Sequence, residues 1–177
     1  MRRVSVVGVP GAGKTAVARR LSVSLGVPLV ELDSIFHQPG WAELPREEFR
    51  HRVAEVTTAD GWVVDGNYSA VRDLVWARAD MVVWLDLPRG LVMRRIVART
   101  VRRALRREQL WNGNREPISN FYRLDPTKNI IRWTWVKYGE YVDRYEAAMR
   151  DPAYAHLTFV RLRSPQDVEA FVFNPAR

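Results

Sequence analysis

The chain has 177 residues, 47% hydrophobic and 27% charged, a balance that suits one globular domain and lacks the low hydrophobicity of a disordered chain. It has no cysteine, which excludes disulfide frameworks and thiolate metal sites. Its 28 Lys and Arg against 20 Asp and Glu leave a net charge of +8 and ask for an anionic partner: a nucleotide, another phosphorylated metabolite or nucleic acid.

From the N-terminus, a short apolar stretch is cut off by Pro10 and its flanking glycines, too early for a signal peptide or a membrane span. A cytoplasmic protein with no membrane attachment is expected. Arg3 to Val9 reads as a buried strand, followed by a glycine-rich turn and a helix from Lys14 to Leu25 that Gly26 closes. A second strand, Pro28 to Leu32, leads through a loop with Pro39, Gly40 and Trp41 into a helix over Pro45 to Thr57. Trp62 to Val64 and Met81 to Leu85 read as the third and fourth strands. After Pro88 comes a long helix in which seven arginines fall within 14 residues, from Arg94 to Arg107. Trp111 to Thr127 reads as a loop, Asn129 to Arg150 as a helix, Leu157 to Leu162 as a fifth strand and Pro165 to Phe173 as a last helix. Five apolar strands alternating with helices predict an α/β fold with a parallel sheet covered on both faces, in a single domain over 1–177.

Gly8-Val9-Pro10-Gly11-Ala12-Gly13-Lys14-Thr15 fits G-x-x-x-x-G-K-[ST], between an apolar strand and a helix start, which is the context the motif requires. The glycines let the backbone turn its N–H groups onto phosphates, and the helix N-terminus adds a favourable dipole. Lys14 supplies a point charge to the β and γ phosphates, and Thr15 a hydroxyl for magnesium. The expected cofactors are ATP and Mg2+.

Ligands of open parallel sheets lie beyond the carboxyl ends of the strands, where Asp33, Asp65 and Asp86 fall. Asp65 fits a magnesium site. Asp33 fits either a metal role or the acceptance of a proton from an acceptor hydroxyl. Asp86, before Leu-Pro and a helix start, reads as a cap, a role open to the other two as well. Arg95, Arg99, Arg102 and Arg106 share one helix face that can close on a transferring phosphoryl group, while Arg103 and Arg107 face solvent or join them. His37, His51 and His156 lack metal-ligand spacing; His37 can meet a substrate or close its loop.

The phosphate loop, Asp65-Gly66-Asn67, and Leu85-Asp86-Leu87-Pro88 followed by Arg95 and Arg99 together resemble the adenylate kinase pattern. Leu32 to Trp41, Asp65 to Tyr68 and Leu110 to Glu116 are similar to a bacterial branch of adenylate-kinase-like P-loop proteins often labelled DNA topology modulation protein. The resemblance implies a P-loop NTPase three-layer sandwich of the nucleoside-monophosphate-kinase kind. It also implies an acceptor-binding excursion at about 34–60 and an arginine-rich lid at about 100–128. Arg95 and Arg99 then contact nucleotide phosphates, Arg132 returns toward the transferred group, and Arg163 lies beside adenine.

Two departures leave the acceptor open. Asn67-Tyr68 replaces the expected continuation and delays the first arginine to Arg72, and the excursion offers His37, Trp41, Arg46, Arg50 and Arg52 instead of the usual monophosphate contacts. Asp33, His37, Trp41, Asn67 and Arg72 are the acceptor candidates. An aspartate ending the second strand is equally similar to shikimate and gluconate kinases, so the expected function is transfer of the γ-phosphoryl group to a nucleoside monophosphate or a hydroxyl metabolite. The rival is a nucleic-acid-binding P-loop ATPase that uses the arginine helix with Trp111, Trp133 and Trp135 as stacking platforms.

Overall fold

The computed structural model describes residues 2–106, 109–114 and 129–175. The strands are β1 (Arg3–Gly8), β2 (Leu29–Glu31), β3 (Trp62–Asp65), β4 (Met81–Leu85) and β5 (Thr158–Leu162), in one parallel sheet ordered β2-β3-β1-β4-β5. The apolar runs of the three inner strands are buried, as a sheet covered on both sides demands. The chain moves outward from β1 on one side and returns to its other side for β4. This reversal opens a crevice at the carboxyl end of β1, where the glycine-rich loop sits.

Helix α1 (Lys14–Leu25) packs across β3, β1 and β2 through Val17, Ala18 and Leu21, and ends as expected at Gly26, which has a φ of 63°. The other sheet face is aromatic. Trp76 donates its indole N–H to Ser5 Oγ at 3.2 Å, and Tyr145 packs against both Trp76 and Trp84. Arg161 lies 4.2 Å over the Trp84 ring and ties Asp86 at 2.7 Å to Glu146 at 2.9 Å, so Asp86 is structural, as its sequence context suggests.

Two short helices escape the sequence reading. α2 (Leu32–Phe36) starts where the second strand was expected to end, so Asp33 stands in a helical first turn instead of at a strand terminus. α4 (Arg72–Arg78) supplies Trp76 to the core. Five and seven residues are too short to display a 3.6-residue period. The remaining helices are α3 (Arg46–Val56), α5 (Arg89–Arg106), α6 (Ile130–Arg150) and α7 (Pro165–Phe173), all close to expectation. Asn129 is the cap of α6, accepting from the N–H groups of Ile131 and Arg132. Most of the expected lid, with Arg107, Arg115 and Glu116, lies outside the described residues.

The start of β1 is anchored by Asp80, which accepts from the backbone N–H groups of Arg2 and Arg3 and pairs with the Arg3 guanidinium at 2.7 Å. Burial works against ionisation of Asp80. The Arg3 side chain and the two N–H groups outweigh it and bring the pKa down from 3.8 to about 2. A depressed pKa means that the stabilisation is present in full above the ordinary value and is lost as pH falls through the folded-state value. Asp80→Asn should therefore lower Tm at pH 6, and the gap to the parent protein should close between pH 4 and 2. A gap unchanged across that window would remove the ionic contribution.

Candidate active site

The loop between β1 and α1 curls because its glycines adopt backbone angles other residues avoid. Gly11 has a φ of 86°, and a Cβ there would lie 2.9 Å from Val92 O and 3.0 Å from Ile96 Cβ of α5, so only glycine fits beneath that helix. The loop is held from both sides. Asn67 accepts from the Gly8 N–H at 3.1 Å and donates to the Gly8 carbonyl, while Arg95 donates to the Ala12 carbonyl at 3.2 Å.

At the mouth of the loop, opposite charges meet. Lys14 Nζ donates to the Val9 carbonyl at 3.2 Å, and burial pushes its ammonium pKa down against the pull of Asp65 and Asp33. Asp65, paired in register with Val6 at the end of β3, is 8% exposed. Burial pushes its carboxyl up, opposed by Lys14 and by the Thr15 hydroxyl, which donates to Oδ2 at 2.5 Å. Asp65 Oδ1 is buried and has no hydrogen-bond partner. A hydroxyl beside an unsatisfied buried carboxylate oxygen is the hard-oxygen set magnesium takes, so Thr15 and Asp65 fit the ion.

The same cleft, about 2240 Å³ in volume, continues from the loop to Asp33, His37, Trp41 and Tyr68. That exceeds the ~300–1,000 Å³ of a pocket for one small ligand and leaves room for two. Asp33 Oδ1 accepts from the Tyr68 hydroxyl at 2.6 Å, and the His37 ring nitrogen Nε2 lies 3.4 Å from that hydroxyl. Burial and the neighbouring Asp33 charge raise the Tyr68 pKa, so the phenol stays a donor at any physiological pH.

Residues 109–114 complete this end. Asn112, at a φ of 54°, donates to the carbonyls of Ser34 and His37. The buried Asn114 donates to Gln38 O at 2.9 Å and accepts from the Trp41 N–H at 3.0 Å. Trp111 donates to Glu31 at 2.7 Å, and Glu31 also holds Arg19. Sequence reasoning missed this docking and the Tyr68 contact; the Asn-Gly pair, prone to left-handed backbone, was the one local signal.

Of the expected site residues, Pro10, Gly11, Ala12, Gly13, Lys14, Thr15, Asp33, His37, Trp41, Asp65, Asn67, Arg95 and Arg99 line the cleft. Asn67 spends both ends of its amide on Gly8, which places it as a brace of the loop. Arg103 joins the cleft with Arg102. Arg72 lies 5.6 Å over Trp76 and faces a small interior pocket. Arg132 and Arg163 are exposed and are not among the cleft-lining residues. The Arg163 N–H donates to Asp167, the residue that closes the capping box of α7 with Ser164. Arg46, Arg50 and Arg52 also stay out of the lining; Arg50 is held by Asp73 and Arg52 by Glu48. No helix among the described residues is long and apolar enough to cross a membrane.

No family model matches the chain. It is 29% identical to the shikimate kinase of Corynebacterium efficiens over 143 residues, covering 72% of this chain and 79% of that protein. It is 28% identical to the shikimate kinase of Corynebacterium glutamicum, covering 97% and 94%. Among solved structures it resembles shikimate kinase from Acinetobacter baumannii in complex with shikimate, with a TM-score of 0.53, 19% identity and coverage of 96% and 88%. It also resembles shikimate kinase from Bacteroides thetaiotaomicron, with a TM-score of 0.51, 17% identity and coverage of 98% and 96%. Sheet topology, phosphate loop and relatives agree on a P-loop kinase that uses ATP and Mg2+ on a small molecule. The reported relatives do not bear the DNA-topology label.

Neither Lys14 nor Asp65 is fully repaid for its burial by the other, since desolvation dominates both shifts. Removing one of two interacting charges leaves the other uncompensated, whereas removing both is often neutral or stabilising. In thermal unfolding with EDTA and no nucleotide, Lys14→Met and Asp65→Asn should each lower Tm. The double variant should match or exceed the parent and lose all stabilisation by ATP and Mg2+. A double variant less stable than either single one would contradict this reading.

Proposed function

We propose that this chain transfers the γ-phosphoryl group of ATP to a hydroxyl of a small metabolite, with Asp33 taking the hydroxyl proton. One observation carries the reading. Asp33 shares a cleft with Lys14 and Asp65, acts on the Lys14 charge, and is held through one oxygen by Tyr68. A carboxylate oriented this way serves an acceptor that must lose a proton. It would repel a nucleoside monophosphate, which already offers an anionic oxygen.

In the transfer, the acceptor oxygen forms a bond to the γ-phosphorus. The bond from that phosphorus to the β,γ-bridging oxygen breaks, its electron pair leaves with ADP, and the acceptor proton passes to Asp33. Lys14 and the loop N–H groups hold the β and γ phosphates. Arg95 and Arg99 of α5, with Arg103 one turn further, offer guanidinium groups to the equatorial oxygens. When bound by Thr15 and Asp65, magnesium supplies charge neutralisation to the phosphates. His37, Trp41 and Trp111 wall off the acceptor end and limit water as a competing acceptor. The relatives' names, and the shikimate in the Acinetobacter structure, favour a hydroxyl acceptor over a nucleic acid.

The test is ADP formation from ATP and Mg2+ with shikimate, other hydroxyl metabolites, nucleoside monophosphates and short DNA. Stimulation by a hydroxyl compound is expected, with Lys14→Ala at least about 100-fold slower. Asp33→Asn should lower kcat by ~10²–10⁴ without weakening ATP binding. Turnover retained in Asp33→Asn, or stimulation by DNA alone, would sink the proposal.

A further inference from the structure

The acceptor end of the cleft differs in chemistry from the phosphate end. Its wall is aromatic: the His37 and Trp111 rings lie 6.4 Å apart and 28° from parallel, and Trp41 meets His37 edge-on at 5.2 Å. Trp111 is fixed there by its bond to Glu31, and the backbone of Trp41 by Asn114. Beside this wall the charges are negative. Asp33 and Glu43 both line the cleft, with Glu43 bridged to His37 through the backbone.

Among the described residues, several nearby cations are engaged with other groups. Arg50 of the excursion is paired through both nitrogens with Asp73, and Arg19 is held by Glu31. On α6, Lys137 is paired with Glu140, and Arg144 lies 5.0 Å over the Tyr141 ring. Arg95 of α5 donates to the Ala12 carbonyl of the phosphate loop.

We propose that the acceptor is a polyhydroxylated compound with no anionic group, its carbon face against His37, Trp41 and Trp111 and its hydroxyls on Asp33 and Glu43. This rests on the hydroxyl-kinase reading and narrows it. Carbon faces with polarised C–H groups settle on aromatic rings, and ionised carboxylates are acceptor-only groups that hold hydroxyls or an ammonium. A carboxylate or phosphate in the same place meets like charge, which is discrimination by repulsion.

The experiment measures kcat/KM of the full chain, with ATP and Mg2+, on matched acceptors. D-glucose and D-glucosamine are set against D-glucuronate, myo-inositol against shikimate, and adenosine against AMP. The neutral or ammonium member of each pair that reacts should exceed its anionic counterpart at least about 10-fold. Glu43→Arg should shrink that ratio for the same pair. Preference for an anionic member, or a ratio unmoved by Glu43→Arg, overturns the acceptor class and leaves the kinase reading standing. No phosphorylation of any member, by protein that binds ATP and Mg2+, overturns the hydroxyl-kinase reading and this inference with it.

Discussion

A half-buried cation and a buried carboxylate at one end of the cleft govern the arrangement of this protein. Parallel pairing of β1 with β3 sets Asp65 level with Val6, and the loop that follows β1 brings Lys14 back beside it. Neither charge recovers its lost hydration from the other, so the pocket carries an electrostatic deficit that a magnesium triphosphate can relieve. The surrounding contacts hold that deficit in place. Asn67 fixes the loop's first glycine, Arg95 its fifth residue Ala12, and Thr15 one oxygen of Asp65.

The acceptor end is built on another principle. No glycine-rich curl shapes it; a helix of five residues, a backbone bridge between His37 and Glu43 and a turn borrowed from beyond α5 assemble it. Asp33 is the group both ends share, since its charge acts on Lys14 while its oxygen is gripped by Tyr68. Donor and acceptor are thus joined through one carboxylate at the seam. Substrate selection can vary on one side of it without disturbing phosphate binding on the other.

Legibility in the sequence followed how locally each feature is determined. The phosphate loop could be read because its glycines, lysine and threonine carry their chemistry at fixed spacing between a strand and a helix. The inner strands could be read because burial on both faces leaves unbroken apolar runs. Asp65 followed from its place at a strand end. Asn67 was placed in the site but not in its role, because a brace of the Gly8 backbone is set by two strand ends meeting across the sheet. Arg132 and Arg163 illustrate the reverse: positional similarity suggested the cleft, while the packing of α6 and the cap of α7 leave them exposed outside its lining. Tyr68 on Asp33 spans 35 residues, and Asn112 on Ser34 spans 78, distances over which neither period nor composition speaks.

The two asparagines of the turn at 109–114 grip their targets through main-chain atoms: Asn112 reads the carbonyls of Ser34 and His37, and Asn114 the carbonyl of Gln38 and the N–H of Trp41. Main-chain carbonyls belong to every residue type alike, and main-chain N–H groups to every type but proline. Side chains at 34 and 38 can therefore drift over evolutionary time without losing these bonds, provided the backbone keeps its path. A lineage could exchange these side chains one at a time and keep the turn docked at every step, so this part of the excursion is a stretch the architecture can vary by single mutations.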